Sequence, residues 1–459
     1  MAEKYNLVVI GAGPAGYVAA AENASRGKKT ALIEKRELGG TCLNRGCIPT
    51  KTILHSAELY SEMKGCEALG IHAGNISCSM EGIQARKAEV LGQLRNGIAM
   101  MMKKHKVDVF CGTGTILGPH EVQVHGSADG EDSVLETEQI LIASGSVPAM
   151  PPIPGMDLHD VLNSDELLDK KELYPRLTII GGGVIGMEFA SIYSALGAQV
   201  TVIEFLDRIL ANMDREISQN LKMILKKRGV DIHTGARVEE IKEGPEGTLI
   251  CCYREKEVLK EAISDGVLVA AGRKANTEGL LAEGFELALD RGRIIVDEHY
   301  QTSVPGIYAV GDVTGGMQLA HTASSQAINA VAHMAGEEMP ICTDCVPACV
   351  YTNPEIASVG LTQDEAKTKG IPVITKKYPM SANGKSLLSG QERGFIRVIA
   401  DRDMHRILGA QMMCARATDM ISEFGTAIVN GLTLEQMAAV IRPHPTFSEG
   451  ISEAVRGHQ

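Results

Sequence analysis

The chain has 459 residues, of which 44% are hydrophobic and 22% are charged, and its formal net charge is -12 at pH 7. This length is typical of about three domains, and the composition allows a large core and excludes a disordered chain. The negative charge argues against nucleic acid or an anionic membrane as the main partner. No apolar run reaches the ~18 residues of a membrane span.

The N-terminal residues lead directly into an apolar strand at residues 7–10, so no signal peptide is expected. Eleven cysteines in such a chain favour free thiols together with one catalytic pair. We therefore expect a soluble cytoplasmic enzyme.

The strand at residues 7–10 begins a pattern typical of a dinucleotide-binding unit. Of the glycines that follow, Gly11 makes a tight turn, Gly13 lets a pyrophosphate approach, and Gly16 lets the next helix pack closely. Glu34 ends the second strand, 23 residues after Gly11, where it can accept hydrogen bonds from an adenosine ribose. A glycine triplet alone is often only a turn, but the complete pattern predicts a bound dinucleotide.

Two cysteines, Cys42 and Cys47, follow the first unit. Their spacing places both side chains on roughly one helical face, and the glycine between them allows a distortion that brings the sulfurs together. We interpret them as a redox-active disulfide beside a flavin. Two small buried hydrophobes or half of a metal site are the alternatives. Lys51 lies four residues after Cys47 and is expected beside the flavin ring, with a solvated surface lysine as its alternative.

A long helix at residues 80–106 and short strands at 107–110, 122–124 and 134–137 lead to a buried strand at 140–142 and a turn of small residues at Ser144 and Gly145. Small side chains there allow a cofactor to approach the backbone. A proline-rich linker follows at residues 148–154.

The glycine pattern then repeats after a second strand. Gly181, Gly183 and Gly186 form the turn, and Glu204 follows Gly181 by 23 residues, the same offset as in the first unit. A carboxylate at that position pairs with a free ribose 2′-hydroxyl and repels a 2′-phosphate, so NAD is favoured over NADP. Two such units predict two bound dinucleotides.

Three further features of the second unit carry expectations. Glu188, inside the helix after the turn, is expected to pair with Lys51 across the two cofactor sites, unless it is an ordinary first-turn glutamate. The unit ends near Gly272. The adjacent Cys251 and Cys252 lie in a strand-like run and should point to opposite faces, so we interpret them as structural.

A later strand ends in Asp312, a natural acceptor for the sugar or ribitol hydroxyls of the first cofactor. The helix that begins near Ala320 can direct its N-terminus at the pyrimidine end of a flavin. Cys342, Cys345 and Cys349 only faintly resemble a metal site, because no fourth ligand follows at a suitable spacing, and no metal is expected.

From residue 346 onward, alternating strands and helices predict a separate α+β domain. Near its end His444 lies between two prolines, and Glu449 follows five residues later. A histidine oriented by a carboxylate can take a proton from an attacking thiol and return it to the leaving one. Because the cysteines have no base nearby in sequence, we interpret His444 and Glu449 as that base pair; an incidental histidine is the alternative.

Taken in order, these motifs resemble those of the flavin-dependent pyridine nucleotide–disulfide oxidoreductases. The resemblance implies an α/β fold with two Rossmann-like domains, one for FAD and one for NAD, and a C-terminal α+β dimerisation domain. The expected ranges are residues 1–147 and 274–343 for the FAD-binding domain, 148–273 for the NAD-binding domain, and 344–459 for the dimerisation domain.

The resemblance further implies that Cys42 exchanges with substrate while Cys47 contacts the flavin. It implies a homodimer in which His444 and Glu449 serve the disulfide of the partner subunit. The expected reaction is oxidation of dihydrolipoamide by NAD, with the lipoyl group carried by another protein of a 2-oxo acid dehydrogenase or glycine cleavage system. A reductase of another small disulfide and a structural component of a multienzyme complex are the alternatives.

Four positions depart from the residues usual in the family. Thr50 replaces a serine and should be neutral, and Arg442-Pro443 replaces His-Ala. Arg45 replaces a small apolar residue and places a cation near the cysteines, so we expect it to shift the thiolate pKa or the flavin potential.

Overall fold

The computed structural model describes residues 4–126 and 132–457. The described residues form two compact units. The first contains the residues up to 151 together with 162–173 and 271–343, and the second contains 152–161, 174–270 and the residues from 344 onward. The domain ranges given above remain a prediction.

Strands and helices are numbered in chain order within the described residues. The strands β1 to β24 are Lys4–Ile10, Thr30–Glu34, Asp108–Cys111, Thr113–Gly118, Glu121–His125, Ser133–Ile142, Ser146–Pro148, Val161–Asn163, Arg176–Ile180, Gln199–Glu204, Asp231–Thr234, Ala236–Glu243, Leu249–Glu255, Val258–Ser264, Gly266–Val269, Arg273–Ala275, Leu289–Asp290, Arg293–Ile294, Ile307–Ala309, Ala348–Val350, Ile356–Gly360, Val373–Pro379, Phe395–Asp401 and Ile407–Met413. The helices α1 to α13 are Pro14–Ser25, Gly40–Arg45, Cys47–Lys64, Met80–His105, Ser164–Leu168, Val184–Leu196, Arg215–Lys227, Ala320–Met334, Gln363–Thr368, Gly384–Leu388, Ala417–Val429, Leu434–Ala438 and Glu449–Arg456.

The first unit is built around a sheet of strand order β3-β2-β1-β6-β5-β4, to which β19 adds beside β6. Strands β1, β2, β3, β6 and β19 run parallel. Along β1, Leu7 and Val9 pack into a core shared with α1, α4 and α8, whereas Val8 and Ile10 pack into a second core on the opposite face. Both faces of β1 are therefore buried, which explains its uninterrupted apolar run.

The carboxyl ends of these parallel strands meet at one edge of the sheet. Gly11 follows β1, Glu34 ends β2, Ser144 lies just beyond β6, and Asp312 lies just beyond β19. The fold thus gathers at one edge residues that are far apart in the sequence.

The second unit repeats this plan in a sheet of order β11-β10-β9-β15-β8, in which β9, β10, β11 and β15 run parallel. Gly181 follows β9 and Glu204 ends β10. The C-terminal sheet is antiparallel, with order β20-β21-β24-β23-β22, and its core includes residues of α11, α12 and α13. The predicted α/β fold with a repeated nucleotide-binding unit and a C-terminal α+β part is confirmed.

One predicted boundary is wrong. The sequence suggests separate strands before and after residue 138, but β6 is continuous from Ser133 to Ile142. In β6, residues 133–136 pair with β5, Glu136 and Thr137 also pair with β1, and the glutamates at 136 and 138 are exposed. Its second half lies between β1 and β19 and is apolar. Within the described residues, no helix is long and apolar enough to cross a membrane.

A cluster of charged side chains in the second unit joins α7 to the antiparallel sheet. Arg397 on β23 donates a hydrogen bond of 2.7 Å to Asp214 Oδ2 and also pairs with Glu216. Asp214 caps α7, because its Oδ1 accepts from the Glu216 amide at 2.9 Å. The side chains of Arg397 and Asp214 are only 9% and 7% exposed.

We expect the variant Arg397→Met to lower the free energy of unfolding by about 3–5 kcal/mol, because it leaves the Asp214 carboxylate buried without its guanidinium. Urea denaturation followed by circular dichroism measures this loss. The matched control is Arg416→Met, since Arg416 and Asp419 are mostly exposed and 3.6 Å apart; its cost should stay below about 1 kcal/mol. Equal costs for the two variants would contradict the assignment.

Candidate active site and dinucleotide loops

The first glycine loop leaves an open space at its second glycine. A Cβ on Gly11, where φ is +100°, would lie 2.5 Å from the Ala143 carbonyl oxygen, and a Cβ on Gly16 would collide with the Gly11 carbonyl oxygen. A Cβ on Gly13 would instead meet only the Gly40 Cα, at 3.9 Å. The turn and the helix packing therefore account for Gly11 and Gly16, whereas the space before Gly13 suits a group from outside the chain.

The second loop has the same construction. Gly181 has φ of +113°, and a Cβ on Gly186 would collide with the Gly181 carbonyl oxygen. A Cβ on Gly183 would have no atom within 4 Å. Each loop thus leaves room at its second glycine.

The carboxylates predicted to bind ribose also hold the loops in place. Glu34 Oε2 accepts a hydrogen bond of 2.8 Å from the Ala12 amide, and its Oε1 accepts one of 2.9 Å from the Arg36 amide. In the second unit Glu204 accepts from the amide of Gly182, and from that of Leu206 at 2.6 Å. The repeat found in the sequence is therefore also a repeat of hydrogen bonds.

Helices α1, α6 and α8 begin without a side-chain cap. Gly13, Gly183 and Leu319 precede them, and none accepts a hydrogen bond from the helix through a side chain. By contrast, Asp214 caps α7 in this way. The first amide groups of α1 and α6 are thus available to an anion beside the open glycine positions, and this arrangement fits the two predicted dinucleotides. Helix α8 begins at Ala320, as predicted.

A chain of hydrogen bonds that the sequence did not indicate holds Asp312. The Ser146 hydroxyl donates to Asp312 Oδ2 at 2.5 Å. Arg273 donates from Nε to that hydroxyl at 2.7 Å and from Nη2 to the Ser146 carbonyl oxygen at 2.8 Å. Both residues lie next to predicted small-residue turns, but neither shows a pattern that would single it out.

Asn276 holds the turn at Ser144 and Gly145. The Ser144 hydroxyl donates to the Asn276 carbonyl oxygen at 2.8 Å, and the Asn276 amide donates to the Gly145 carbonyl oxygen at 3.0 Å. Gly272 has φ of +115° and accepts a 3.0 Å hydrogen bond from the Ala149 amide.

The cysteines do not share one helix, so the sequence-based geometry is wrong in this respect. Cys42 lies in α2, Cys47 begins α3, and the helices meet at Gly46, where φ is −145° and ψ is −110°. The break nevertheless brings the thiols together: their side-chain hydrogen bond, together with burial, raises the pKa of Cys42 above its ordinary value, and the charge of Lys51 lowers it in part. Both cysteines are thiols in this structure.

Helix α2, which carries Cys42, rests on the first glycine loop. Gly40 begins α2, and a Cβ there would lie 2.5 Å from the Gly13 Cα. Tyr17 of α1 also lies near Cys42. Burial, and then the charge of Cys42, raise the pKa of its phenol. No pattern in the sequence singles out Tyr17.

The expected effect of Arg45 on the thiolate pKa or the flavin potential remains a prediction. Arg45 forms an ion pair with Glu37, which offsets its charge. The cation that lowers the pKa of the Cys42 thiol is Lys51.

His444 and Glu449 form the predicted pair. His444 Nδ1 lies 2.9 Å from Glu449 Oε1, and the Thr446 amide donates to Glu449 Oε2 at 2.9 Å. The Thr446 amide and then the His444 ring hold the pKa of Glu449 below its ordinary value. The His444 side chain is 79% exposed, so its ring is accessible to a reacting group.

The remaining predicted residues lie as follows. Glu188 is buried and accepts a 3.0 Å hydrogen bond from the Tyr351 amide; its pairing with Lys51 remains a prediction.

Cys251 lies in the core while Cys252 faces Glu261, which confirms the opposite orientations. Among the described residues, no group of three or more His, Cys, Asp or Glu side chains could hold a metal ion.

Two protein-family models match the chain. Residues 5–327 match the model described as pyridine nucleotide-disulphide oxidoreductase, and residues 346–455 match the dimerisation domain of the same family.

Curated proteins and solved structures resemble the chain over almost its full length. A dihydrolipoyl dehydrogenase of Bacillus subtilis (strain 168) is 43% identical, covering 99% of this chain and 98% of the relative. One of Chlamydia muridarum is 40% identical, with 99% and 97% covered. The crystal structure of LpdA from Mycobacterium tuberculosis matches with a TM-score of 0.91 at 29% identity, covering 99% of both chains. The HOCl-induced flavoprotein disulfide reductase RclA from Escherichia coli matches with a TM-score of 0.87 at 31% identity, covering 98% of this chain and 99% of that one.

We expect Gly183→Ala to weaken the binding of NADH by about tenfold or more without unfolding the protein, because its methyl group enters the open space and displaces a charge-assisted hydrogen bond. Fluorescence titration with NADH measures the affinity. The matched variant Gly186→Ala should lower the melting temperature instead, since its methyl group collides with the Gly181 carbonyl oxygen. An unchanged NADH affinity in Gly183→Ala would contradict the predicted site.

Proposed function

The chain belongs to the family of pyridine nucleotide-disulphide oxidoreductases, and we propose that it oxidises protein-bound dihydrolipoamide to lipoamide with NAD, the reaction of a dihydrolipoyl dehydrogenase. The observation that carries this proposal is the pair of hydrogen-bonded thiols, Cys42 on α2 and Cys47 at the start of α3, where α2 begins against the open Gly13 of the first glycine loop. Full-length similarity to curated dihydrolipoyl dehydrogenases supports the choice of substrate.

FAD and NAD are the cofactors. When bound, FAD accepts the electron pair of the dithiol and NAD carries it away as hydride. We propose that FAD is held by the first glycine loop, Glu34, Lys51, the turn at Ser144 and Gly145, Asp312 and the start of α8 at Ala320. We propose that NAD is held by the second loop with Glu188, Glu204 and Gly272.

The protein's own residues perform a thiol–disulfide exchange. His444 Nε2 takes the proton of one substrate thiol, while Glu449 orients the ring through Nδ1. The substrate thiolate attacks Cys42 of the oxidised pair, the disulfide bond breaks, and Cys47 leaves as a thiolate. The second substrate thiol releases its proton to solvent, and its thiolate attacks the first substrate sulfur, which releases the cyclic disulfide, while Cys42 leaves with the proton returned from His444.

The C-terminal dimerisation domain supports a homodimer. We further propose that His444 and Glu449 act on the disulfide of the partner subunit and that the lipoyl group arrives on a carrier protein. A cytoplasmic location is proposed from cysteine usage alone, because many thiols besides a catalytic pair are typical of a reducing compartment.

A reductase of another small disulfide is the second candidate. The observation in its favour is the similarity of the fold to RclA, a flavoprotein disulfide reductase. Glu204 counts against an NADPH-dependent form of such a reductase, because its carboxylate would repel a 2′-phosphate.

An anaerobic titration of the yellow holoenzyme separates these functions. Addition of dihydrolipoamide should bleach the flavin absorbance, and NAD should restore it with the formation of NADH. Bleaching by NADPH but not by dihydrolipoamide would retain the family and assign another disulfide as the substrate.

We expect Cys47→Ser to abolish the oxidation of dihydrolipoamide while FAD stays bound, because the exchange then lacks its leaving thiolate. Steady-state formation of NADH and the absorbance of bound flavin measure the two effects. Cys78→Ser is the matched control, since Cys78 is an exposed thiol elsewhere in the first unit. Normal turnover of the Cys47 variant would refute the assignment.

A further inference from the structure

Arg442 lies two residues before the proposed base and is almost fully buried. Only 4% of its side chain is exposed. In the segment 441–445, the side chains of Ile441, Pro443, His444 and Pro445 all point into solvent, and Ile441 is 95% exposed. The segment that carries the base therefore has Arg442 as its inward-pointing side chain.

Arg442 connects this segment to three helices. Its Nη1 donates a hydrogen bond of 2.8 Å to Ser452 Oγ on α13, and its Nη2 pairs with Glu423 on α11. Longer contacts of 3.4 Å reach the carbonyl oxygens of Met437 in α12 and of Val440 just beyond that helix. A guanidinium makes such contacts simultaneously because its donors form a rigid fork.

Ser452 and Glu449 are three residues apart on α13 and therefore lie on neighbouring parts of one helical face. Glu449 binds His444, and Ser452 binds Arg442. Helix α13 thus holds the base segment at His444 and, two residues earlier, at Arg442. The contact at Arg442 limits how far His444 can move.

On this geometry we propose that Arg442 is a positioning residue, which keeps the His444 ring in hydrogen-bonding position beside Glu449. This inference rests on the proposed function, in which His444 is the base. It identifies a role for a position where the chain departs from the His-Ala usual in the family.

The action of Arg442 is geometric rather than electrostatic. Glu423 offsets its charge, and the groups that lower the pKa of Glu449 are the Thr446 amide and His444. The arrangement is also not the best one for stability, because Nε is buried and makes no hydrogen bond within the described residues.

The test compares two activities of the holoenzyme. Oxidation of dihydrolipoamide by NAD needs the base, whereas reduction of ferricyanide by NADH draws electrons from the flavin without thiol exchange. We expect Arg442→Met to lower kcat for dihydrolipoamide by about 10- to 100-fold, the effect of misplacing a reacting group by up to about 1 Å. The ferricyanide activity and the KM for NAD should stay unchanged.

Further variants keep the test decisive if Arg442→Met does not fold. Arg442→Lys retains the charge without the fork and should lose less kcat, and Ser452→Ala should change kcat in the same direction as Arg442→Met. Arg456→Met is the matched control, because Arg456 is a half-exposed arginine at the end of α13, and it should leave both activities unchanged.

A double variant tests whether Arg442 acts through the base pair. Once Glu449→Gln has loosened His444, adding Arg442→Met should cause no further loss of kcat. Additive losses, or a parallel loss of ferricyanide activity, would overturn the inference. Normal turnover of His444→Ala would overturn the proposed base, and Arg442 with it, whereas a slow His444→Ala beside a normal Arg442→Met would overturn the positioning role alone.

Discussion

The site depends on one kind of hydrogen bond, which occurs once in each unit. A glutamate at the end of β2 or β10 accepts it from an amide of the neighbouring glycine loop. Glu34 holds the Ala12 amide, and Glu204 holds the Gly182 amide. Each bond fixes from outside a loop whose second glycine leaves the open space that the predicted pyrophosphate needs. In the first unit the fixed loop in turn packs against Gly40, where helix α2 with Cys42 begins. The position of Cys42 therefore depends on the hydrogen bond of Glu34, which lies eight residues earlier in the chain.

The sequence predicted those features that depend on local spacing. The offset from the first loop glycine to the carboxylate is the same in both units because both build one strand–turn–helix–strand pattern. Spacing alone failed where tertiary contacts decide. Gly46 breaks the helix between the cysteines, and the polar first half of β6 continues into its buried half because β5 pairs with it. The contacts of Ser146 with Arg273, and of Tyr17 with the dithiol, join parts of the chain that no local pattern relates.

The similarity to both dihydrolipoyl dehydrogenases and RclA shows why the fold does not decide the substrate. Every member of such a group needs a dithiol close to one dinucleotide and a second dinucleotide to exchange electrons. Those needs fix the glycine loops and the cysteine helix. The choice of substrate depends on the groups that reach the outer sulfur, and in the proposed function these are the residues around His444 and Glu449. The proposed function is therefore tested best by chemistry on the thiols.

The base segment meets two opposing requirements. The imidazole that is proposed to exchange protons with a carrier-bound substrate has to be exposed, as His444 is. An exposed ring gains no rigidity from packing, yet catalysis depends on its position to within about 1 Å. The structure separates the two tasks between neighbouring residues: His444 stays in solvent, while Arg442 is buried and Thr446 holds Glu449 through its amide. A base that must remain accessible thus takes its orientation from residues on both sides of it in the chain.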